Sequence, residues 1–215
     1  MIDLHAHTVF SDGELIPAEL VRRAEVLGLS AIAITDHGDS SNIDWIVPRI
    51  VSISEELNSV LNIRVVPGIE ITHVPPRLIA ETADKARKLG ARVIVVHGET
   101  IVEPVAPGTN AAALRADVDI LAHPGLITAS LVDEAREKGI LLEITARQGH
   151  SLTNGHVARL AKKADAKLVI NTDTHSPGNL INAETAKRIV CGAGLSEDDF
   201  KVMQENASNL IRSAD

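Results

Sequence analysis

Short apolar runs alternate along the whole chain with longer stretches in which apolar residues recur every three or four positions. The short runs, rich in Val, Ile, Leu and Ala, predict seven buried strands at residues 2–4, 31–35, 64–69, 92–96, 119–122, 140–144 and 167–171. The longer stretches predict amphipathic helices at residues 17–27, 43–61, 77–89, 111–116, 131–138, 157–164, 183–190 and 197–211. Repeated strand and helix units of this kind are typical of a parallel sheet covered by helices.

The spacing of the predicted strands indicates which α/β fold they form. Seven units in 215 residues leave about 31 residues per unit, close to the roughly 30 of a βαβ unit. A barrel of eight units typically needs about 250 residues. We therefore expect a distorted seven-stranded (βα)7 TIM-like barrel that forms a single domain over residues 1–215, with an open, doubly wound sheet as the alternative.

Composition restricts the partners and the location of such a domain. With 21 Lys and Arg against 29 Asp and Glu, the formal net charge is −8, so binding to a long nucleic acid backbone is disfavoured. No apolar stretch approaches the roughly 18 residues of a membrane span, and the N-terminus lacks the pattern of a signal peptide. We expect no membrane partner and a cytoplasmic location.

The single cysteine, Cys191, cannot form an internal disulfide, and we expect it to be a buried thiol in a late helix.

Ionisable side chains of metal-ligand types stand at the ends of six of the seven predicted strands. They are His5 and His7, Asp36 and His37, Glu70, His97, His123, and Asp173 and His175. In a parallel barrel the carboxyl ends of all strands lie on the face that carries the active site. Residues two positions apart in a strand point the same way, so His5 and His7 form one like-facing pair, and Asp173 and His175 form another.

A metal site explains this set better than separate structural roles would. An isolated histidine at a strand end is usually a hydrogen-bonded core residue. Ionisable groups buried at six strand ends, however, would cost several kcal/mol unless they were paired or bound to metal. Imidazole and carboxylate ligands without thiolate suit zinc, manganese or iron, and the ligand types alone select no single metal.

Six short motifs in chain order resemble the PHP family, the polymerase and histidinol phosphatase domain. They are His5-Ala6-His7-Thr8 with Ser11-Asp12-Gly13, Thr35-Asp36-His37-Gly38, Gly68-Ile69-Glu70, Val96-His97-Gly98, Ala122-His123-Pro124 and Asp173-Thr174-His175. The resemblance covers essentially the whole chain. It implies a distorted seven-stranded βα barrel with a trinuclear metal centre at the strand ends, and hydrolysis of phosphate esters.

The same resemblance implies nine metal ligands, one at each matching position: His5, His7, Asp12, His37, Glu70, His97, His123, Asp173 and His175. Glu70 would bridge a first ion, on His5, His7 and Asp173, to a second ion on His97 and His123. Asp12, His37 and His175 would hold the third. Glu70, Asp173 and His175 are thereby also the expected catalytic residues, and two or three divalent ions the expected cofactors. Asp36 either orients a ligand histidine or caps the following turn.

The function implied is hydrolysis of the phosphate monoester of a small metabolite, by attack of a metal-bound hydroxide at the trinuclear site. The expected partner is a small phosphorylated substrate.

Arg147, three residues beyond the sixth predicted strand, is a candidate phosphate contact or else a surface arginine. Glu143 in that strand is either a hydrogen-bond acceptor for a ligand or a polar filler of the barrel. Three further histidines, His73, His150 and His156, lie in loops near this face; each is expected to be solvated or locally hydrogen-bonded, with His73 the best additional candidate.

Three other functions compete with this prediction. One is a phosphodiesterase or exonuclease similar to the PHP modules joined to DNA polymerases. Another is an amidohydrolase, whose barrel also begins with a His-x-His motif; many amidohydrolases bridge two metals with a carboxylated lysine on the fourth strand, and residues 93–97 contain no lysine. The third is a non-catalytic RNA-binding barrel similar to a ribonuclease P protein subunit. The sequence does not specify the oligomeric state.

Overall fold

Strands and helices alternate in the order that the apolar pattern predicts. The computed structural model describes residues 1–213. Its strands are β1 (Ile2–Asp3), β2 (Ala31–Ile34), β3 (His37–Gly38), β4 (Arg64–Ile71), β5 (Val93–His97), β6 (Ile120–Ala122), β7 (Leu141–Thr145) and β8 (Leu168–Asn171). Its helices are α1 (Pro17–Val26), α2 (Ile43–Asn58), α3 (Ile79–Leu89), α4 (Thr109–Ala113), α5 (Ala129–Lys138), α6 (Asn154–Ala164), α7 (Ala183–Gly192) and α8 (Glu197–Ser213).

The strands form a nearly closed parallel barrel in a single domain, as predicted. Seven strands are neighbours in the order β1, β2, β4, β5, β6, β7, β8, and every pair is parallel. The first and last strands approach through an isolated parallel bridge between Ala6 and Thr174, where the His7 amide donates to the Thr174 carbonyl over 2.8 Å. Sequential strand order with this approach of the two edges excludes the open, doubly wound alternative.

The short strand β3 is the one strand that the sequence pattern missed. It continues β2 after a break at Thr35 and Asp36, and it places His37 opposite Glu70 of β4. At the break, the Thr35 amide donates to the Ala6 carbonyl on the β1 side over 2.8 Å, and the Asp36 carbonyl accepts from the Glu70 amide on the β4 side over 3.1 Å. Asp36 and His37 are adjacent in sequence, yet Asp36 contacts the loop after β1 and His37 contacts Glu70.

Alternate strand residues fill the inside and the outside of the barrel. The inner cluster contains Ala33 of β2, Val95 of β5 and Val169 of β8, together with Ala207 and Ile211 of α8. The C-terminal helix therefore closes the amino end of the barrel, while the carboxyl ends of the strands stay open to the loops. Within residues 1–213, no helix has the length and apolar character needed to cross a bilayer.

Specific residues begin and end the helices at the predicted places. The Asn182 side chain caps α7 by accepting a hydrogen bond from the Thr185 amide over 3.0 Å. Gly90 and Gly139 end α3 and α5 in the left-handed conformation, with φ of 104° and 72°. The expectation of a buried thiol in α7 is wrong, because Cys191 lies on the exposed face of that helix.

Two glycines let the loops beyond β5 and β6 pack backbone against backbone. A Cβ atom on Gly98 would lie 2.8 Å from the Cα of Pro124. Gly125 has a φ of +61°, and the carbonyl oxygen of Glu99 occupies the position that its Cβ would take. These close approaches fix the segments that directly follow His97 and His123.

Replacing Gly125 with alanine tests this packing. We expect Gly125→Ala to lower the free energy of unfolding by about 2–4 kcal/mol, because the variant combines left-handed strain with a backbone clash. The measurement is urea unfolding, with Gly178→Ala as the control. No atom lies within 4 Å of a Cβ at Gly178, so the control should change stability by less than about 1 kcal/mol. Equal stability of the two variants would contradict the close packing.

Candidate metal centre

The innermost part of the site is a pair of carboxylates between three buried imidazoles. His5 Nε2 lies 3.3 Å from Glu70 Oε1 and 3.8 Å from Asp173 Oδ1. His7 Nε2 lies 3.2 Å from Asp173 Oδ1. His123 Nε2 lies 3.8 Å from Glu70 Oε1 and 3.6 Å from Asp173 Oδ2. Residues that are up to 168 positions apart in the chain, as Asp173 is from His5, thus converge at the carboxyl ends of β1, β4, β6 and β8.

A second group lies closer to solvent and shares His7 with the first. His175 Nε2 is 3.1 Å from Asp12 Oδ1, and His37 Nε2 is 3.4 Å from the same oxygen. His37 Nδ1 also lies 2.6 Å from Glu70 Oε2, which connects the two groups. Ligand atoms of His7, Asp12, His37 and His175 all fall within 4.8 Å of one another, a spacing that one cation could bridge.

The third group is centred on His97 at the end of β5. Its ring lies edge-on to the ring of His123, with centroids 4.4 Å apart. Ligand atoms of His97, His123 and His150 lie within 4.8 Å of one another. The structure therefore brings all nine sequence-predicted ligands into one continuous cluster and adds His150 to it.

Buried polar atoms without hydrogen-bond partners concentrate in this cluster. Among the described residues, every such side-chain atom except Ser54 Oγ belongs to it: His5 Nε2, both ring nitrogens of His7 and of His123, Glu70 Oε1 and Asp173 Oδ1. A buried polar group without a partner costs about 1–3 kcal/mol, and each exception to full pairing requires an explanation. Divalent cations would coordinate these lone pairs, so the residues present fit a metal centre.

The backbone is strained at the same place. His73, His123 and Asp173 have φ values of 53°, 26° and 51°, and Asp165 is the only other non-glycine residue with positive φ in the described chain. Such conformations cost of order 1–3 kcal/mol and concentrate at functional sites. The strain re-aims His123 and Asp173 directly after β6 and β8, which lets both side chains reach the centre.

Neighbouring charges set the protonation of the cluster. Burial alone would lower the pKa of the His37 imidazole, but the carboxylates of Glu70 and Asp12 raise it to about 10. Burial lowers the pKa of His7 to about 4. Burial would raise the pKa of Asp12, but hydrogen bonds from His175 and His37 hold it well below its ordinary value. At neutral pH, His7 and Asp12 are therefore ready to bind a cation, whereas binding at His37 must release a proton.

Glu143 supports two of the ligands from β7. Its Oε1 accepts hydrogen bonds from His5 Nδ1 over 2.8 Å and from Asn171 Nδ2 over 3.0 Å, and its Oε2 accepts from the His123 amide over 3.0 Å. The first contact fixes the His5 tautomer, with Nε2 towards the centre. The last holds the strained backbone of His123. Of its two predicted roles, the structure favours the hydrogen-bond acceptor.

Asp36 orders the loop that carries Asp12. Its carboxylate accepts four hydrogen bonds of 2.7–3.0 Å, from the amide and hydroxyl groups of Thr8 and of Ser11. These contacts fix residues 8–11 immediately before Asp12. Neither predicted role of Asp36 describes this arrangement, because the residue orders the loop that precedes the expected ligand Asp12.

A pocket with a volume of about 270 Å³ lies at the metal centre, and Arg147 lines it. Of the described residues that line this pocket, Arg147 is the only arginine or lysine. Its Nη1 donates a hydrogen bond to Asn179 Oδ1 over 3.3 Å. His73 also lines the pocket, whereas His156 donates from Nε2 to the Ile127 carbonyl over 2.7 Å and is not among the lining residues.

Glu103 is a site residue that the sequence analysis missed. It lines the pocket between His73, His97 and His150, and hydrogen bonding to His97 lowers the pKa of its carboxyl to about 2. Glu103 lies in a proline-containing loop six residues beyond β5, outside any strand end. No periodic pattern marks it, so only its position after His97 could have suggested it.

Comparison with known proteins identifies the family of the chain. The PHP domain matches residues 3–163. The chain belongs to the PHP family. A protein of Methanocaldococcus jannaschii without a described function is 52% identical over 201 residues, which cover 93% of this chain and 92% of that protein. A probable phosphatase of Clostridium acetobutylicum is 21% identical over 207 residues, which cover 88% of this chain and 85% of that protein.

Two solved structures show the same fold at low sequence identity. A chain of archaeal ribonuclease P, determined with mature tRNA, superimposes with a TM-score of 0.76 at 19% identity and covers 100% of this PHP chain and 91% of that chain. Histidinol phosphate phosphatase from Lactococcus lactis, determined with zinc, L-histidinol and phosphate, gives a TM-score of 0.62 at 17% identity, with 99% and 93% covered. These likenesses show the barrel fold of this PHP chain.

Replacing Glu143 tests how the centre is supported. We expect Glu143→Gln to weaken binding of zinc or manganese about ten- to hundredfold, because one of the two acceptor oxygens becomes an NH2 donor and either His5 Nδ1 or the His123 amide then loses its acceptor. Chelator competition measures the affinity, and circular dichroism checks the fold. Glu137→Gln on the exposed face of α5 is the matched control and should bind like the wild type. A folded Glu143→Gln protein with wild-type affinity would contradict the supporting role.

Proposed function

We propose that this PHP protein is a metal-dependent phosphoesterase that hydrolyses phosphate monoesters of small metabolites. The observation that carries the proposal is the convergence of unpartnered, buried imidazole and carboxylate atoms beside an arginine in an open pocket. In this proposal residues 1–215 form one catalytic domain. The cofactors are two or three divalent cations, with zinc, manganese and iron as the candidates.

The three groups of side chains divide the cation ligands among them. We assign His5, His7, Glu70 and Asp173 to one cation. His97 and His123, with Glu70 between the groups, would hold another, and Asp12, His37 and His175 a third. When bound, such cations polarise a phosphoryl group and activate water at neutral pH.

Side chains of the chain itself hold these ligands in the required state. His175 Nδ1 donates to the Asp173 carbonyl oxygen over 2.9 Å, which leaves Nε2 directed at Asp12 and the pocket. Nearby imidazoles keep the pKa of Asp173 below its ordinary value, against the effect of burial. We therefore assign Glu70, Asp173 and His175 as the catalytic residues that hold the reacting groups in place.

Arg147 is assigned to the phosphate. Arg147 lines the pocket that Asp12 and Asp173 also line, and its Nη1 donates a hydrogen bond to Asn179. A guanidinium can donate two parallel hydrogen bonds to a phosphate, which fixes orientation as well as charge. Arg147 would thus bind the phosphate while the cation ligands act on the ester bond.

Pocket size and charge favour a small substrate. A volume of about 270 Å³ is near the lower end of the roughly 300–1,000 Å³ of small-molecule sites. The net charge of −8 opposes attraction of a long phosphate backbone. Likeness to a ribonuclease P chain concerns the fold alone, and β5 contains no lysine of the kind that bridges metals in many amidohydrolases. The test below therefore includes nucleic acid and amide substrates as the alternatives.

A phosphate-release panel tests the proposal. The full chain, loaded with zinc or manganese, is assayed on sugar phosphates, mononucleotides, histidinol phosphate, single-stranded oligonucleotides and cyclic amides. We expect turnover of small monoesters, and we expect Asp173→Asn to reduce kcat/KM by more than about a hundredfold because a cation ligand is lost. Asp165→Asn is the matched control, since Asp165 has a similar φ of 58° but caps α6.

The outcomes separate the competing functions. Turnover confined to oligonucleotides would show that the protein is a nuclease and not a monoesterase. Turnover confined to amides would show that it is an amidohydrolase. A purified chain that binds no divalent cation would refute the metal-dependent mechanism itself.

A further inference from the structure

Glu103 turns from its loop towards the pocket and faces three imidazoles. The loop comprises residues 98–108, between β5 and α4. Glu103 Oε2 lies 3.2 Å from His73 Nε2 and 3.2 Å from His97 Nε2, and Oε1 lies 3.3 Å from His150 Nε2. Of these three histidines only His97 belongs to the nine expected ligands, so the arrangement extends the centre outwards.

The hydrogen bonds of His97 leave a lone pair directed at this carboxylate. His97 Nδ1 donates to the Gly98 carbonyl oxygen over 3.2 Å, so in the neutral imidazole Nε2 has no proton. In a neutral His97 that lone pair faces the Glu103 oxygen, so the 3.2 Å contact requires either a proton or a cation between the two atoms. A backbone carbonyl on Nδ1 with Nε2 directed inwards is the usual arrangement of a metal-binding histidine.

Two sets of possible ligand atoms overlap at His97. Those of His73, His97 and Glu103 lie within 4.8 Å of one another, as do those of His97, His123 and His150. Both ring nitrogens of His123 are buried without a hydrogen-bond partner. A cation on His97 and His123 would therefore have Glu103 on its pocket side, the side that the strand ends leave open.

Hydrogen bonds hold the base of the 98–108 loop in place and so restrict the position of Glu103. Glu99 Oε1 accepts hydrogen bonds from the amides of Gly108 and Asn110, over 3.0 and 2.8 Å. The hydroxyl of Thr100 lies 2.8 Å from His150 Nδ1. The Glu103 side chain itself remains 38% exposed, so solvent and small anions reach it.

We propose that Glu103 is an additional ligand of the cation held by His97 and His123, supplied by the 98–108 loop. This inference rests on the proposed metal centre and adds a carboxylate to its nine expected ligands. Glu103 and Arg147 line the same pocket, so a phosphate bound by Arg147 would lie in the pocket that also contains this cation ligand.

Cation titration of the full chain tests this inference. Wild type, Glu103→Gln and Glu14→Gln are titrated with zinc, and separately with manganese, under chelator competition. Glu14 is an exposed residue of the loop after β1, so its variant controls for the loss of one negative charge on the same face. We expect Glu103→Gln to bind one cation at least about tenfold more weakly and the remaining cations normally. Glu14→Gln should match the wild type.

Each result of this titration supports or overturns the inference. Unchanged or tighter binding of every cation by Glu103→Gln would show that the carboxylate pairs with protonated imidazoles, and it would leave the metal centre standing. Absence of cation binding in the wild type would instead refute the proposed function. The absorption spectrum of the cobalt(II)-loaded chain is the second measurement. We expect it to change in folded Glu103→Gln, and an unchanged spectrum would exclude Glu103 as a ligand.

Discussion

Buried lone pairs that no hydrogen bond satisfies are the constraint on which the rest of this structure depends. A barrel interior can accept polar side chains only if each polar atom finds a partner, yet Glu70, Asp173 and three histidines direct partnerless atoms at one another. Within the described chain, neither the barrel interior nor the loops around it supply a hydrogen-bond partner for these particular atoms. Divalent cations would resolve the conflict, because imidazole and carboxylate atoms are ligands for them and the chain already holds these atoms in place.

The surrounding architecture serves this group at several levels. The parallel barrel brings distant strand ends together, and α8 seals the opposite end of the barrel with Ala207 and Ile211. Glu143 and Asp36, both fully buried, then fix individual ligands through hydrogen bonds. Positive φ at His123 and Asp173 adds strain that this packing must balance. The fold, the supporting carboxylates and the strain are therefore parts of one arrangement.

The sequence predicts the elements and the strand-end residues well, because both follow from local rules. Apolar periodicity marks each strand, and a parallel barrel places all strand ends on one face. Contacts made by loops escape these rules. His150 reaches the centre from a short helical turn beyond β7, Glu103 reaches it from an irregular loop, and β3 has only two residues, too few for a periodic pattern. The exposure of Cys191 likewise depends on which face of α7 packs inwards.

Anomalous diffraction from crystals grown with manganese or zinc tests the central claim most directly. Difference maps at the absorption edge locate each cation relative to the side chains without reference to activity. The account predicts peaks about 2.0–2.2 Å from His5 Nε2, from His123 Nε2 and from carboxylate oxygens of Glu70 and Asp173. Ordered side chains in the same positions with no anomalous peak among them, at saturating metal, would contradict it.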